Sequence, residues 1–284
     1  MPTAPEVVLE RLSLQVQGVV ADIACMHRLG DVAPIVFLHG FGSTKEDYAD
    51  IHLHPAFAGR TFLAYDAPGC GATRCADLSA VSIPFLVAAA RAVLEHFGVR
   101  EFHLVGHSMG GLTALMLAQE QPQRVLSFTD IEGNLAPEDC FLSRQVIDHP
   151  ADSADAFFES FIERTWRTPH FSSPLYAAGL RHKVRAEAVR GIFTSMVELS
   201  DHGALLAKFL ALPFPRMFMY GQQNAALSYI PTLRAHGVEL AEVPACGHFP
   251  MYSNPVEMWA AMSRFLARHA HSVAPGSSQR PANP

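Results

Sequence analysis

Short, uninterrupted apolar runs separated by helix-length segments constrain the fold of this chain more than any other feature. Pro34-Ile35-Val36-Phe37-Leu38, Thr61-Phe62-Leu63-Ala64-Tyr65, Phe102-His103-Leu104-Val105 and Val125-Leu126-Ser127-Phe128-Thr129 are continuous rather than alternating, as expected of strands buried on both faces. Residues 82–97 and 109–121 have helical spacing. Strand–helix alternation of this kind predicts a parallel, doubly wound sheet with right-handed crossovers, whose ligands collect at the carboxyl ends of the strands. Before these runs, residues 6–28 carry two alternating patches, Leu12–Val16 and Val19–Ile23, which predict a hairpin at an antiparallel sheet edge. After them come two more strand-like runs, Arg216–Gly221 and Val238–Val243, and an amphipathic helix over 255–269.

Between about 134 and 205 the strand pattern stops, and aromatic, helix-like sequence takes its place. The division predicted is an α/β core over 1–133 and 206–271, a helical cap inserted over 134–205, and a disordered tail over 272–284, which is rich in Pro, Ser, Gly and Asn. A length of 284 residues suits one large domain with an insertion.

Composition narrows the class of partner. A formal net charge of -6 and no dense run of Lys and Arg give no electrostatic reason to bind nucleic acid. No stretch approaches the apolar length of a membrane span, and the first residues lack a basic region followed by an apolar core, so a cytoplasmic address is expected. Five cysteines without CxxC pairs fit reduced thiols better than a disulfide framework. The 15 histidines lack partnering ligands at metal spacing, so neither a metal nor another cofactor is expected. Oligomeric state leaves no mark in the sequence.

Three motifs carry chemistry. Gly106-His107-Ser108-Met109-Gly110 matches G-x-S-x-G directly after a buried strand and before a helix, where a tight strained turn lifts a serine hydroxyl above the sheet. Ser108 is therefore the candidate nucleophile. His39-Gly40-Phe41-Gly42 comes after an earlier strand, and the backbone N–H groups of Phe41 and Met109 are the candidate donors to an oxyanion formed there. His39 reads as a histidine bracing that loop. Cys246-Gly247-His248-Phe249-Pro250 places His248 on a late turn, in the chain order expected of a general base.

HGFGS at 39–43, DAPGCG at 66–71, GHSMGG at 106–111 and GHFPMYSNP at 247–255 together resemble the α/β-hydrolase superfamily over about residues 30–268. The resemblance implies a mostly parallel eight-stranded sheet flanked by helices, with an inserted helical cap. It also implies a Ser-acid-His triad, with the acid in most members an Asp in a G-x-x-D turn. The matching stretch here is Gly221-Gln222-Gln223-Asn224, with Asn224 in the acid's place, and an amide cannot stabilise an imidazolium. Some members place the acid at the end of the strand before the insertion, and there this chain has Asp130 and Glu132. Strand alternation points residues two apart to the same face, so position decides. Glu132, nearer the carboxyl end, is the expected acid, and Asp130 a supporting carboxylate. The Asp66–Gly71 turn reads as architecture, and Cys70 and Cys246 as small buried thiols.

The reaction expected is hydrolysis of a small-molecule carboxylic ester or related acyl bond through a Ser108 acyl-enzyme, with His248 as base and Glu132 as acid. Phe157, Phe158, Phe161, Trp166, Phe171 and Phe193 are either the lining of an acyl pocket or the cap's own core. The alternatives are a ligand-binding protein that keeps the scaffold without turnover, an acyltransferase, or a carbon–carbon hydrolase.

Overall fold

A computed structural model describes residues 6–145, 153–169 and 172–269. The strands are β1 (Val8–Val16), β2 (Val19–Arg28), β3 (Val32–Leu38), β4 (Arg60–Tyr65), β5 (Arg74–Cys75), β6 (Phe102–His107), β7 (Val125–Ile131), β8 (Arg216–Gly221) and β9 (Glu239–Val243). The helices are α1 (Ile83–His96), α2 (Met109–Glu120), α3 (Ala154–Trp166), α4 (Ser173–Lys183), α5 (Ala186–His202), α6 (Leu205–Leu210), α7 (Ile230–Ala235), α8 (Pro250–Ser253) and α9 (Pro255–Arg268). The tail expected over 272–284 lies outside the described residues.

The main path of the sheet runs β1-β2-β4-β3-β6-β7-β8-β9. β1 and β2 form the expected edge hairpin, β4 joins β2 antiparallel, and every later neighbour on the path pairs in parallel. The expectation of eight strands is corrected to nine, because the two-residue β5 pairs antiparallel with β2 beside the main path. A strand of that length is too short to display a periodicity. Each central strand buries a phenylalanine: Phe37, Phe62, Phe102, Phe128 and Phe218 are all less than 2% exposed. Each such ring contributes about 1.5–3 kcal/mol relative to an exposed one.

From β3 the chain moves first to β4 on one side and later to β6 on the other. The strand order thus reverses between β3 and β6, which opens a crevice at their carboxyl ends. The loop after β3, the turn after β6 and the end of β7 meet there.

Between β7 and β8 lie α3 to α6, and this segment is stitched to the sheet layer. The Gly71 N–H donates to the Lys183 carbonyl (2.7 Å) and the Arg185 N–H to that of Gly69 (2.9 Å). Ser195 Oγ, on α5, accepts from the first N–H of α1, that of Ile83 (2.9 Å). No helix among the described residues is long and apolar enough to cross a membrane.

Candidate active site

Ser108 stands between β6 and α2 with φ 52° and ψ −118°, a strained conformation for a residue with a side chain. The turn closes this tightly because a Cβ on Gly110 would lie 2.1 Å from the Leu38 carbonyl oxygen, a space only glycine tolerates. The Ser108 N–H donates to the Ile131 carbonyl (2.9 Å), tying the turn to the end of β7. Its side chain is partly exposed and borders a cavity of about 30 Å3 that His248 also lines. Ser108 immediately precedes a 12-residue helix whose first N–H groups point toward the crevice. Among the described residues, neither the Met109 nor the Phe41 N–H is bonded to a protein acceptor.

His248 is placed from three sides. Its Nδ1 lies 2.7 Å from Glu132 Oε2, so the proton on that nitrogen points at the carboxylate and leaves Nε2 as an acceptor. Its carbonyl accepts from His107 Nε2 (2.8 Å). Its turn is bonded to the one after β8, where the Gln223 N–H donates to the Cys246 carbonyl (3.0 Å) and the Ala245 N–H to Gln222 Oε1 (3.0 Å). Burial, with His248 close by, holds His107 well below the ordinary histidine range, so it acts as a neutral donor to that carbonyl.

Glu132 is 7% exposed and accepts two further bonds. The Gly221 N–H donates to Oε1 (2.7 Å) and Asn224 Nδ2 to Oε2 (2.7 Å). Asn224, the last residue of the Gly221–Asn224 turn, therefore grips the carboxylate that faces His248. Asp130 sits elsewhere. It is fully buried, its Oδ1 accepts from the Gly133 N–H (2.8 Å), and its Oδ2 has no partner among the described residues. Desolvation pushes its pKa up to about 8. The alternation that put both carboxylates on one face is corrected here. β7 ends at Ile131, and Glu132 takes φ 47°, which rotates its side chain across the end of β8.

The remaining sequence candidates fall into place around these groups. His39 donates from Nδ1 to the Gly40 carbonyl (2.8 Å) and accepts at Nε2 from the Ala67 N–H (2.9 Å), bracing its loop. Asp66 accepts from the Lys45 and Ala72 N–H groups (both 2.8 Å) and from Lys45 Nζ (2.9 Å). All five cysteines are unpaired thiols, and burial pushes Cys70 and Cys246 up to about 12.

Among the described aromatic residues singled out between 134 and 205, only Phe193 borders the Ser108 cavity. Phe161 packs edge-on behind it at 5.9 Å, and Phe157 stacks on Phe161 at 6.3 Å. Phe158 is buried, Trp166 is 53% exposed, and Phe171 lies outside the described residues. The other lining comes from Phe41, Asp139, Phe141, Leu142, Ser143, Tyr176, Met196 and Phe249, of which Phe41 and Phe249 alone fall within the sequence motifs. Asp139 accepts from the Leu135 and Ala136 N–H groups and from the Tyr229 hydroxyl, and burial pushes it up to about 6. A second cavity of about 60 Å3 shares His248, Phe249 and Tyr176 with the first. Thr165, Thr168, Ser173, Gln223 and Asn224 add uncharged polar groups to its wall.

Comparisons with known proteins agree with this architecture. The model of the alpha/beta hydrolase family matches residues 35–261. The acetyltransferase component of an acetoin cleaving system from Pseudomonas putida is 39% identical over 101 residues, 34% of this chain and 25% of that protein. A pimeloyl-[acyl-carrier protein] methyl ester esterase from Aeromonas salmonicida is 33% identical over 119 residues, 42% of this chain and 43% of that one. The matches thus span about a quarter to less than half of these relatives' length. Among solved structures, the N-acyl homoserine lactonase AidH superposes with a TM-score of 0.72 at 17% identity, covering 96% of this chain and all of the other.

Proposed function

The chain belongs to the alpha/beta hydrolase family, and from that premise we propose that it hydrolyses a carboxylic ester or lactone through a Ser108 acyl-enzyme. One observation carries the reading: the strained Ser108 and a His248 already bonded to Glu132 border the same cavity. His248 Nε2 takes the Ser108 proton as the hydroxyl attacks the acyl carbon. The N–H groups of Phe41 and Met109 hold the oxyanion of the tetrahedral intermediate. Glu132 fixes the imidazole's orientation and stabilises its charged form. His248 returns its proton to the leaving oxygen, and water, activated the same way, releases the acid.

The walls suggest the class of substrate. Among the described residues no Lys or Arg lines either cavity, and the one acidic side chain beside Ser108 is Asp139. A carboxylate on the acyl chain would meet no counter-charge, so the acyl group is uncharged, and cavities of about 30 and 60 Å3 suit a short one. The segment between β7 and β8 acts in this reading as a cap that sets the acyl shape.

The alternative of a binding protein on the same scaffold leans on Asn224, and the Glu132–His248 bond speaks for turnover instead. The test is mapping of a fluorophosphonate adduct together with turnover of short neutral esters. Label on Ser108, and at least a 1,000-fold loss of turnover in Ser108→Ala, are expected from triad deletions, which cost about 10^4 to 10^6. Full hydrolysis by Ser108→Ala would sink the reading.

A further inference from the structure

The helix α4 reaches the oxyanion loop and the histidine turn with one side chain. Tyr176 is 3% exposed. Its hydroxyl donates to the Phe41 carbonyl (2.9 Å), and its ring stacks on Phe249 at 4.3 Å with 26° between planes. Phe41 carries one proposed oxyanion donor, and Phe249 is the residue next to the proposed base. The fit against the loop is close. Gly42 has φ +74°, and a Cβ there would stand 2.5 Å from both the Tyr176 ring and Leu180. Any side chain at 42 would push this helix off the loop.

The same helix is anchored a second time at its far end. Lys183 Nζ donates to the Tyr252 hydroxyl (3.1 Å) and lies 3.7 Å from Asp47 Oδ1, while the Tyr252 hydroxyl donates to Asp47 Oδ2 (2.9 Å). Tyr252 belongs to α8, just after the histidine turn, and Asp47 to the segment just after the oxyanion loop. With the backbone bonds at Gly69 and Gly71, α4 is a brace fixed to the core.

We propose that Tyr176 is a positioning residue for the reaction: by holding the Phe41 carbonyl it aims the N–H of the same residue at the oxyanion, and by its stacking it keeps that aim in register with His248. The inference rests on the Ser108 hydrolase reading. The Phe41 N–H shares a peptide plane with the Gly40 carbonyl, which is bonded to the Ser43 N–H (3.1 Å) and His39 Nδ1 (2.8 Å), and that plane meets the plane of the Phe41 carbonyl at one Cα. With the second plane held at 2.9 Å by Tyr176, both sides of the residue are fixed and the direction of its N–H is restricted. Preorganised donors are worth most when they need no reorientation as charge develops. Burial drives the Tyr176 hydroxyl well above the ordinary tyrosine range, so it stays a proton donor throughout the working pH range.

The experiment compares wild type, Tyr176→Phe and a protein carrying p-aminophenylalanine at 176, which keeps the ring and restores an N–H donor. Losing a whole oxyanion donor costs about 100- to 1,000-fold in kcat; losing only its aim is expected to cost about tenfold. Tyr176→Phe should lower kcat about tenfold and weaken a trifluoromethyl ketone or boronate inhibitor by the same factor. KM and the pH midpoint of kcat/KM should hold, and the p-aminophenylalanine protein should recover most of the loss. Kinetics and inhibitor affinity within twofold of wild type in Tyr176→Phe would overturn the inference. So would a loss that moves the pH midpoint, that leaves inhibitor affinity unchanged, or that p-aminophenylalanine fails to restore. If Tyr176→Phe cannot be recovered folded, the p-aminophenylalanine protein alone decides: its kcat stays within threefold of wild type, or the hydroxyl's donor role is rejected. Labelling at Ser108 is read first on wild type. Its failure removes the hydrolase reading, whereas normal labelling with unaltered Tyr176→Phe kinetics removes only this inference.

Discussion

Two carboxylates two residues apart meet opposite fates at the end of β7. Glu132 accepts from Gly221, Asn224 and His248. Asp130 accepts one N–H, leaves an oxygen without a partner among the described residues, and is pushed up to about 8 by burial. Glu132 thus has three donors around it, whereas one donor in a dry site makes the neutral form of Asp130 the cheaper one. The difference comes from the backbone. Asp130 is still in the strand and points into the layer under α2, where a Cβ on Gly111 would meet it at 2.6 Å. Glu132 has left the strand with a positive φ and reaches over the neighbouring strand's end.

The contrast breaks most visibly at Glu132. An amide there can still accept from Gly221, but it cannot hold the imidazolium, and the equivalent change in another Ser-His-acid triad costs about 10^4 in kcat. Glu132→Gln is expected to lose about 10^3- to 10^4-fold in kcat with little change in KM. A loss below tenfold would mean that Glu132 is a structural hinge and that the proposed division of labour is wrong.

A swap sharpens the comparison at a smaller scale. Asn224 Nδ2 and Glu132 Oε2 are 2.7 Å apart, so Glu132→Gln with Asn224→Asp exchanges carboxylate and amide across one hydrogen bond. The double variant is expected to run at least about tenfold faster than Glu132→Gln alone, since the acid's role is defined by geometry and not by its slot in the chain. No recovery would show that only the β7 end can present a carboxylate to His248.

The parts of the site that are legible in the sequence are those written by local structure. The Ser108 turn, the loop at 39–42 and the turn at His248 each need only a strand and a glycine-bearing turn at its end, all within a few residues. The strand–helix alternation likewise implies the parallel order that brings them together. Glu132 can be named from the missing acid at Asn224, but its side-chain direction cannot, because period-two alternation stops where the strand stops. Asp139 and Tyr176 give no signal. Their importance comes from contacts with Tyr229, Phe41 and Phe249, which no spacing along the chain encodes. The aromatic run at 157–161 is ambiguous for the same reason, since helical periodicity says that a ring is buried but not against which neighbour.

The smallest expected effect isolates Asp130. Asp130→Asn keeps an oxygen for the Gly133 N–H and removes the ionisation, so kcat is expected to stay within about threefold of wild type, as for a residue outside the reacting groups. Stability should respond instead. The folded pKa of about 8 lies above the ordinary 3.8, so between those values the folded chain keeps a proton that the unfolded chain releases. The contribution of this group is therefore full below about pH 3.8 and is lost as the pH rises through about 8. Measured by urea unfolding at pH 5, 6, 7 and 8, wild type should lose stability relative to Asp130→Asn by up to about 1.4 kcal/mol per pH unit. Other titrating groups cancel in that difference. Parallel curves would mean that Asp130 is ionised in the fold, and the contrast drawn between the two carboxylates would fail.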